Sequence, residues 1–190
     1  MPEHAEIRLM AEYVNQFEHI VFDKVEKHPI SKQQFDSSKL PDKFFIKAYA
    51  RGKEILLMHY SIDSPKEAML TITMGMSGSF YMNEGSPSKW PMLTWISKNV
   101  RLELLDHRRF AKWSFRNFNP DRGPDVVFEH VEFKKLIRDN TKKLNKPLCE
   151  ILLDQKYFNG IGNYLLAEIL GRLNVVQFLF RQFGYALERV

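Results

Sequence analysis

Between His19 and Phe115 the chain is a succession of short runs rich in β-branched and aromatic residues, and no other feature constrains its fold as tightly. The runs are His19–Val25, Phe44–Ala50, Ile55–Tyr60, Ala68–Met74, Gly78–Met82, Leu93–Ile96, Arg101–Leu105 and Ala111–Phe115. Each has the length of a strand, and turn-forming pieces such as Ser61-Ile-Asp-Ser-Pro65 and Asn83-Glu-Gly-Ser-Pro87 separate them. Many short strands at this spacing, spread over about 100 residues, predict a β-sandwich or barrel.

Helical patterns flank the strands. Ile7, Met10, Val14 and Phe17 place one apolar stripe on one face of a first helix. Pro2 stands just before it, and Glu3 and Glu6 occupy the first turn, where carboxylates favour the helix dipole. At the other end Asn119-Pro-Asp-Arg-Gly-Pro124 is a strong breaker. Beyond it Val131–Thr141, Leu148–Leu153 and Tyr164–Leu173 read as helices, the last with Leu166, Ile169, Leu170 and Leu173 on its buried side. The expected fold class is therefore α+β. An N-terminal helix plus β-sandwich domain covers residues 1–120, a hinge 121–130, and a helical domain 131–190. No internal repeat or low-complexity tract interrupts this order.

Composition narrows the function classes. A hydrophobic fraction of 44% with 27% charged residues is that of a soluble globular protein, not a disordered one. No apolar run approaches the roughly 18 residues a membrane span needs, and the acidic, amphipathic start is neither a secretory signal nor an Arg-rich transit peptide. The single cysteine, Cys149, excludes an internal disulfide and a Cys-based zinc cluster, which points to a reducing compartment. Positive charge is concentrated late. Residues 1–130 carry 18 Lys/Arg against 17 Asp/Glu, whereas residues 131–190 carry 10 against 6. Such an excess is the footprint of a polyanion binder.

Five segments carry residue types with chemical potential. In Asp154-Gln-Lys-Tyr-Phe-Asn-Gly-Ile-Gly-Asn163 two glycines lie between helices, and Asn163 falls at the expected N-cap of the next one. That arrangement suits either an anion such as DNA phosphate or a plain helix–helix turn. Pro2 is small enough for Met1 to be removed, which would leave a secondary amine, about a tenth of it neutral at neutral pH, with the Glu3 carboxylate beside it. Such an amine can condense with a sugar aldehyde, although Met-Pro-Glu also reads as an ordinary helix start. Lys53 in Ala50-Arg-Gly-Lys-Glu-Ile55 follows a turn glycine and is either a fixed cation or a solvated strand-end charge. Met76 in Met74-Gly-Met-Ser-Gly-Ser-Phe80, and Arg108, Arg109 and Phe110 in Asp106-His-Arg-Arg-Phe-Ala-Lys-Trp113, could wedge into a base stack. Taken singly, Met76 and Phe110 read as core.

The five segments occur together in the order found in the Fpg/Nei DNA glycosylases, which the chain resembles from residue 1 to about Leu173. The spellings Arg-Gly-Lys-Glu, Gly-Met-Ser-Gly-Ser-Phe and Phe-Asn-Gly-Ile-Gly-Asn-Tyr are most similar to the animal Nei-like branch, in particular its first paralogue. The resemblance implies a helix–two-turn–helix domain after the β-sandwich, and a bifunctional glycosylase and AP lyase of base excision repair acting on oxidised bases, chiefly pyrimidines. It implies Pro2 as the nucleophile at C1′, Glu3 as the proton-transfer carboxylate, and Lys53 as a phosphate-contacting catalytic support. Met76, Arg108 and Phe110 would fill the space left by the extruded base, with Arg109 beside them, and Asn163 would hold a backbone phosphate. Strand cleavage would proceed by β- and then δ-elimination. Damaged DNA is the implied partner of a monomer without metal or other cofactor, in the nucleus or alternatively the cytoplasm.

Three departures from the family pattern qualify that expectation. The family's usual Pro-Glu-Gly-Pro-Glu is here Pro2-Glu3-His4-Ala5-Glu6, so a side chain replaces glycine next to the acid. The family's zinc or zinc-mimicking finger would lie beyond residue 190, so the helical domain reads as incomplete and the chain as C-terminally shortened. Phe178, Leu179, Phe180, Phe183 and Tyr185 form an apolar tail that would fold back onto the helical hairpin, meet a protein partner, or mark a variant or fragment lacking its natural continuation. The intact Pro2-Glu3 pair favours an active enzyme, and the absent finger favours a catalytically weak DNA-binding or regulatory variant. A non-enzymatic β-sandwich adaptor would leave five ordered motifs to coincidence.

Overall fold

The computed structural model describes residues 2–98, 100–140, 144 and 146–173. The chain forms two compact units, the first running to Phe118 and the second starting at Asn119.

In the first unit helix α1 spans His4–Asn15, with Glu3 as its N-cap in a capping box with Glu6. The Glu3 N–H donates to Glu6 Oε2 at 2.7 Å, which satisfies a donor that no helical carbonyl can reach. Ile7, Ala11 and Val14 are buried and Met10 is half-buried. Phe17, expected on the same stripe, lies past the helix end and packs edge-on against Tyr13 at 5.3 Å. The side chain of Asn15 fastens that end, donating to the Ala48 carbonyl at 2.9 Å and accepting from the Ala48 N–H at 2.7 Å. His4 is the first helical residue, and its φ lies outside the left-handed region, so this start does not require glycine.

Eight strands follow: β1 (Lys24–Lys27), β2 (Phe44–Arg51), β3 (Glu54–Ser61), β4 (Glu67–Thr73), β5 (Ser79–Asn83), β6 (Pro91–Ile96), β7 (Arg101–Leu105) and β8 (Lys112–Ser114). They make two antiparallel four-stranded sheets, ordered β1-β6-β7-β5 and β2-β3-β4-β8. Of the run His19–Val25, expected as one strand, only Lys24 and Val25 fall in β1. Only Phe22 makes an isolated bridge, to Phe44. Pairing with β6 selects Lys24–Lys27 instead, from Lys24 opposite Ile96 to Lys27 opposite Leu93. The connections β4→β5 and β7→β8 each pass from one sheet to the other.

The inward faces of both sheets and of α1 share one apolar core. On β2 the alternation is plain, with Phe44, Ile46 and Ala48 buried and their neighbours turned outward. At its centre, fully buried His59 of β3 accepts at Nε2 from the Trp95 indole N–H of β6 at 2.9 Å. Its other nitrogen, Nδ1, lies 3.2 Å from the Ala68 carbonyl. The neutral ring protonated at Nδ1 satisfies both contacts. Burial pushes the His59 pKa down to about 4, against the opposing pull of the carbonyls beside it.

The second unit contains α2 (His130–Asp139), α3 (Leu148–Leu153) and α4 (Asn163–Arg172) around a core that includes Ile137, Ile151, Leu152, Phe158, Leu166 and Leu170. Leu173, expected on the buried face of α4, is exposed, because the helix ends one residue earlier. Residues 122–125, in the breaker and the segment expected to hinge, are bonded to the α3–α4 turn. The Gly123 N–H donates to the Gln155 carbonyl at 2.9 Å, and Asn159 Nδ2 donates to the Gly123 carbonyl at 3.2 Å. A Cβ at Gly123 would meet the Lys156 carbonyl at 2.4 Å, so this approach requires glycine. The tail residues Phe178 to Tyr185 lie outside the described residues.

Candidate functional site

Met76 and Phe110 are not core. They are 47% and 51% exposed, on the β4–β5 and β7–β8 connections respectively. Arg108 joins them: its guanidinium donates to Met76 Sδ at 3.4 Å and lies 5.7 Å from the centre of the Phe110 ring. Side chains from two loops 32 residues apart in sequence thus form one exposed apolar and cationic tip.

Asp106, almost completely buried, holds that tip in place. Its Oδ1 accepts from the Ser77 hydroxyl and from the Arg108 N–H at 3.0 Å. Its Oδ2 accepts from the Phe110 and Ala111 N–H groups, each at 2.7 Å. Burial alone would raise the carboxyl pKa. The Ser77 hydroxyl and the three backbone N–H groups outweigh it and hold the carboxyl below its ordinary value. One carboxylate therefore ties the Met76 loop to the Phe110 loop. Gly75 closes the same joint, since at φ +59° a Cβ there would lie 2.6 Å from the Phe110 backbone. Arg109, exposed at the apex, has φ 58° and is the one non-glycine residue in the left-handed region among those described. Such a conformation costs about 1–3 kcal/mol and persists only where the surroundings enforce it.

Pro2 is half-buried immediately before α1, and Glu3 is buried at its N-cap. Pro2 and the Glu3 carboxylate thus lead into a helix fixed by its capping box and by Asn15 at its far end. Lys53 occupies the two-residue turn between β2 and β3, where Arg51 pairs with Glu54 and Gly52 takes φ 57°. It is buried, not the solvated strand-end charge its position in sequence allowed. Beside it, buried Glu54 receives Arg116 at 2.8 Å.

In the second unit Asn163 is exposed and is the first residue of α4. The N-cap is Gly162, one residue before the position expected for it. The turn leading there is held by Gln155, whose Nε2 donates to the Leu153 and Ile161 carbonyls, both at 2.9 Å, while its Oε1 accepts from Gly160 N–H at 3.1 Å. Gly160 has φ 115°, open in practice to glycine alone. The turn thus leads directly into the start of α4, with Asn163 exposed as its first residue.

The fold is shared with a Lactococcus lactis Fpg (MutM) solved in complex with DNA containing an oxidised pyrimidine, at a TM-score of 0.78 and 19% identity over 94% of this chain and 71% of that one. Residues 1–113 match the family model of the formamidopyrimidine-DNA glycosylase N-terminal domain. The chain belongs to the formamidopyrimidine-DNA glycosylase family. It is 36% identical to human endonuclease 8-like 1 and 37% identical to the mouse protein, in each case over 94% of this chain and 49% of the relative. It therefore spans about half the length of those curated relatives.

Within this family member, two residues that organise the site have no role assignable from sequence alone. Asp106 carried one signal, an aspartate two residues before a loop N–H, the spacing of an Asx turn. Gln155 carried none, because its partners become neighbours only when the turn closes.

Proposed function

We propose that this protein acts in base excision repair as a bifunctional DNA glycosylase and AP lyase on oxidised bases. The observation that supports the reading most directly is the exposed Met76–Arg108–Phe110 tip on its buried Asp106 anchor. Large apolar side chains held rigidly in solvent have no role in folding, whereas a duplex from which one nucleotide has been extruded offers a gap of matching size and character. Arg109 at the apex contacts the strand beside that gap.

The chemistry begins at Pro2. With Met1 removed, the neutral amine attacks C1′, the glycosidic bond breaks, and the base departs. Glu3 transfers the proton that opens the sugar ring, which leaves an iminium on Pro2. Loss of a C2′ proton then expels the 3′ phosphate, and a second elimination expels the 5′ phosphate. Water releases the sugar remnant and restores the amine. Lys53, held rigid on the β2–β3 turn, contacts phosphate near the lesion, and Asn163 at the start of α4 holds a second phosphate. Preference for oxidised pyrimidines and a nuclear location are part of the same proposal, made on the likeness to the endonuclease 8-like relatives.

Covalent trapping tests the reading. The protein is incubated with a duplex bearing an abasic site and reduced with borohydride, alongside Pro2→Gly and a form retaining Met1. An adduct from the native chain, sharply reduced when Met1 blocks Pro2, is expected. A folded protein that binds the abasic duplex yet yields no adduct would reduce the reading to a DNA-binding variant without catalysis.

A further inference from the structure

The chain has three tryptophans, and two are structural: Trp95 is fully buried and Trp113 is 5% exposed. Trp90 is 41% exposed, and the exposed Lys89 carries its ammonium 5.4 Å from the centre of the Trp90 ring. This pair stands at the root of the Met76–Arg108–Phe110 tip, because the Asp106 N–H donates to the Trp90 carbonyl at 3.1 Å. The residue that anchors the tip therefore also anchors Trp90.

A second buried carboxylate fixes the same segment from its other side. Glu103 of β7 is fully buried, and it accepts from the Ser88 N–H with both oxygens at 3.2 Å and from the Ser88 hydroxyl. Withdrawing a carboxylate from water costs several kcal/mol, and here the hydrogen-bond partners it gains belong to a surface segment. Pro91 follows, with φ fixed by its ring. Lys89 and Trp90 are thus presented from a stretch pinned at Ser88 and at the Trp90 carbonyl, in a protein where every other tryptophan is core.

We infer that Lys89 and Trp90 form a second DNA contact beside the tip, with the indole lying against a nucleotide of the duplex flanking the lesion and the ammonium on its phosphate. An exposed aromatic face paired with a cation is the surface that sugars, bases and phosphates recognise together. The inference rests on the reading of this protein as a DNA-binding glycosylase, and it adds a contact that the tip residues do not supply.

The test uses the whole chain and a dye-labelled duplex carrying a tetrahydrofuran abasic analogue. Anisotropy of the dye reports binding independently of the protein's own fluorescence, and acrylamide quenching of tryptophan emission reports Trp90, the exposed indole. DNA is expected to shield that emission from acrylamide at the same concentrations that raise the anisotropy. W90L is expected to bind about tenfold more weakly, and K89A to lower the salt dependence by about one counterion. The blue-shifted emission of Trp95 and Trp113 in W90L confirms that its core is intact. Normal anisotropy binding with no shielding, and with W90L equal to the native protein, overturns the contact and leaves the glycosylase reading standing. An absence of binding in every form overturns both.

Discussion

Replacing Asp106 by asparagine keeps the shape of the side chain while removing its charge and one of its two acceptor oxygens. The native carboxylate receives four donors, two on each oxygen. An amide placed with its oxygen towards Phe110 and Ala111 keeps those two bonds, and the Ser77 hydroxyl can turn to accept from the new NH2. The Arg108 N–H cannot turn, and it is left facing another donor. One unmade bond to a buried side chain costs about 1–3 kcal/mol, and the retained bonds lose the part of their strength that came from the charge. The expected total for Asp106→Asn is about 2–4 kcal/mol, with Asp106→Ala at or above the top of that range. All three tryptophans lie in the first unit, so urea unfolding followed by their emission reads that unit alone, and the shift in midpoint multiplied by the slope gives the loss. In a cycle with Ser77→Ala, the shared bond should appear as coupling of at least about 0.5 kcal/mol. A variant within about 0.5 kcal/mol of the native protein, with no coupling to Ser77, would refute the idea that this carboxylate holds the two loops together.

Two further outcomes follow from buried groups. His59 has its pKa pushed down to about 4 by burial, whereas in the unfolded chain it titrates near its ordinary value of about 6.5. Its contribution is therefore complete above pH 6.5 and is lost as pH falls towards 4; about 2 kcal/mol should disappear between pH 7 and pH 5, read from urea midpoints. A flat stability profile across that interval would mean that the ring is charged or solvated. Gln155→Ala removes three hydrogen bonds from the α3–α4 turn and should loosen it by about 2–3 kcal/mol. Faster amide exchange at Gly160 is the expected readout, and unchanged protection there would show that the turn is held without the glutamine.

Much of this architecture was legible because local pattern and burial agree. The alternation of Phe44–Ala50, the turn glycine at Gly52 and the pattern of Ile55–Tyr60 describe the β2–β3 hairpin almost residue for residue. Leu148–Leu153 is a helix over the range the sequence indicates. Legibility fails where a partner decides. Lys24–Lys27 contains one apolar residue and becomes a strand only because β6 is there to pair with it. Met76 and Phe110 are of core type, and what exposes them is the closure of their loops around Asp106, a relation between residues about thirty positions apart. Lys53 and Glu103 look like surface charges in the sequence, and both are buried by contacts no local window contains.

The connection that carries Met76 and the connection that carries Phe110 both leave one sheet and enter the other. A side chain driven into a stack of bases is pushed back by that stack, and a tip on a single hairpin would yield by bending. In the proposed DNA complex that thrust would divide between both layers of the sandwich and be met by their shared core. The same route runs in reverse: a small slip between the layers, through a misfit around His59 and Trp95 for example, would draw Met76 and Phe110 apart at the surface. The stiffness of the interior and the sharpness of the tip are in this sense one mechanical property.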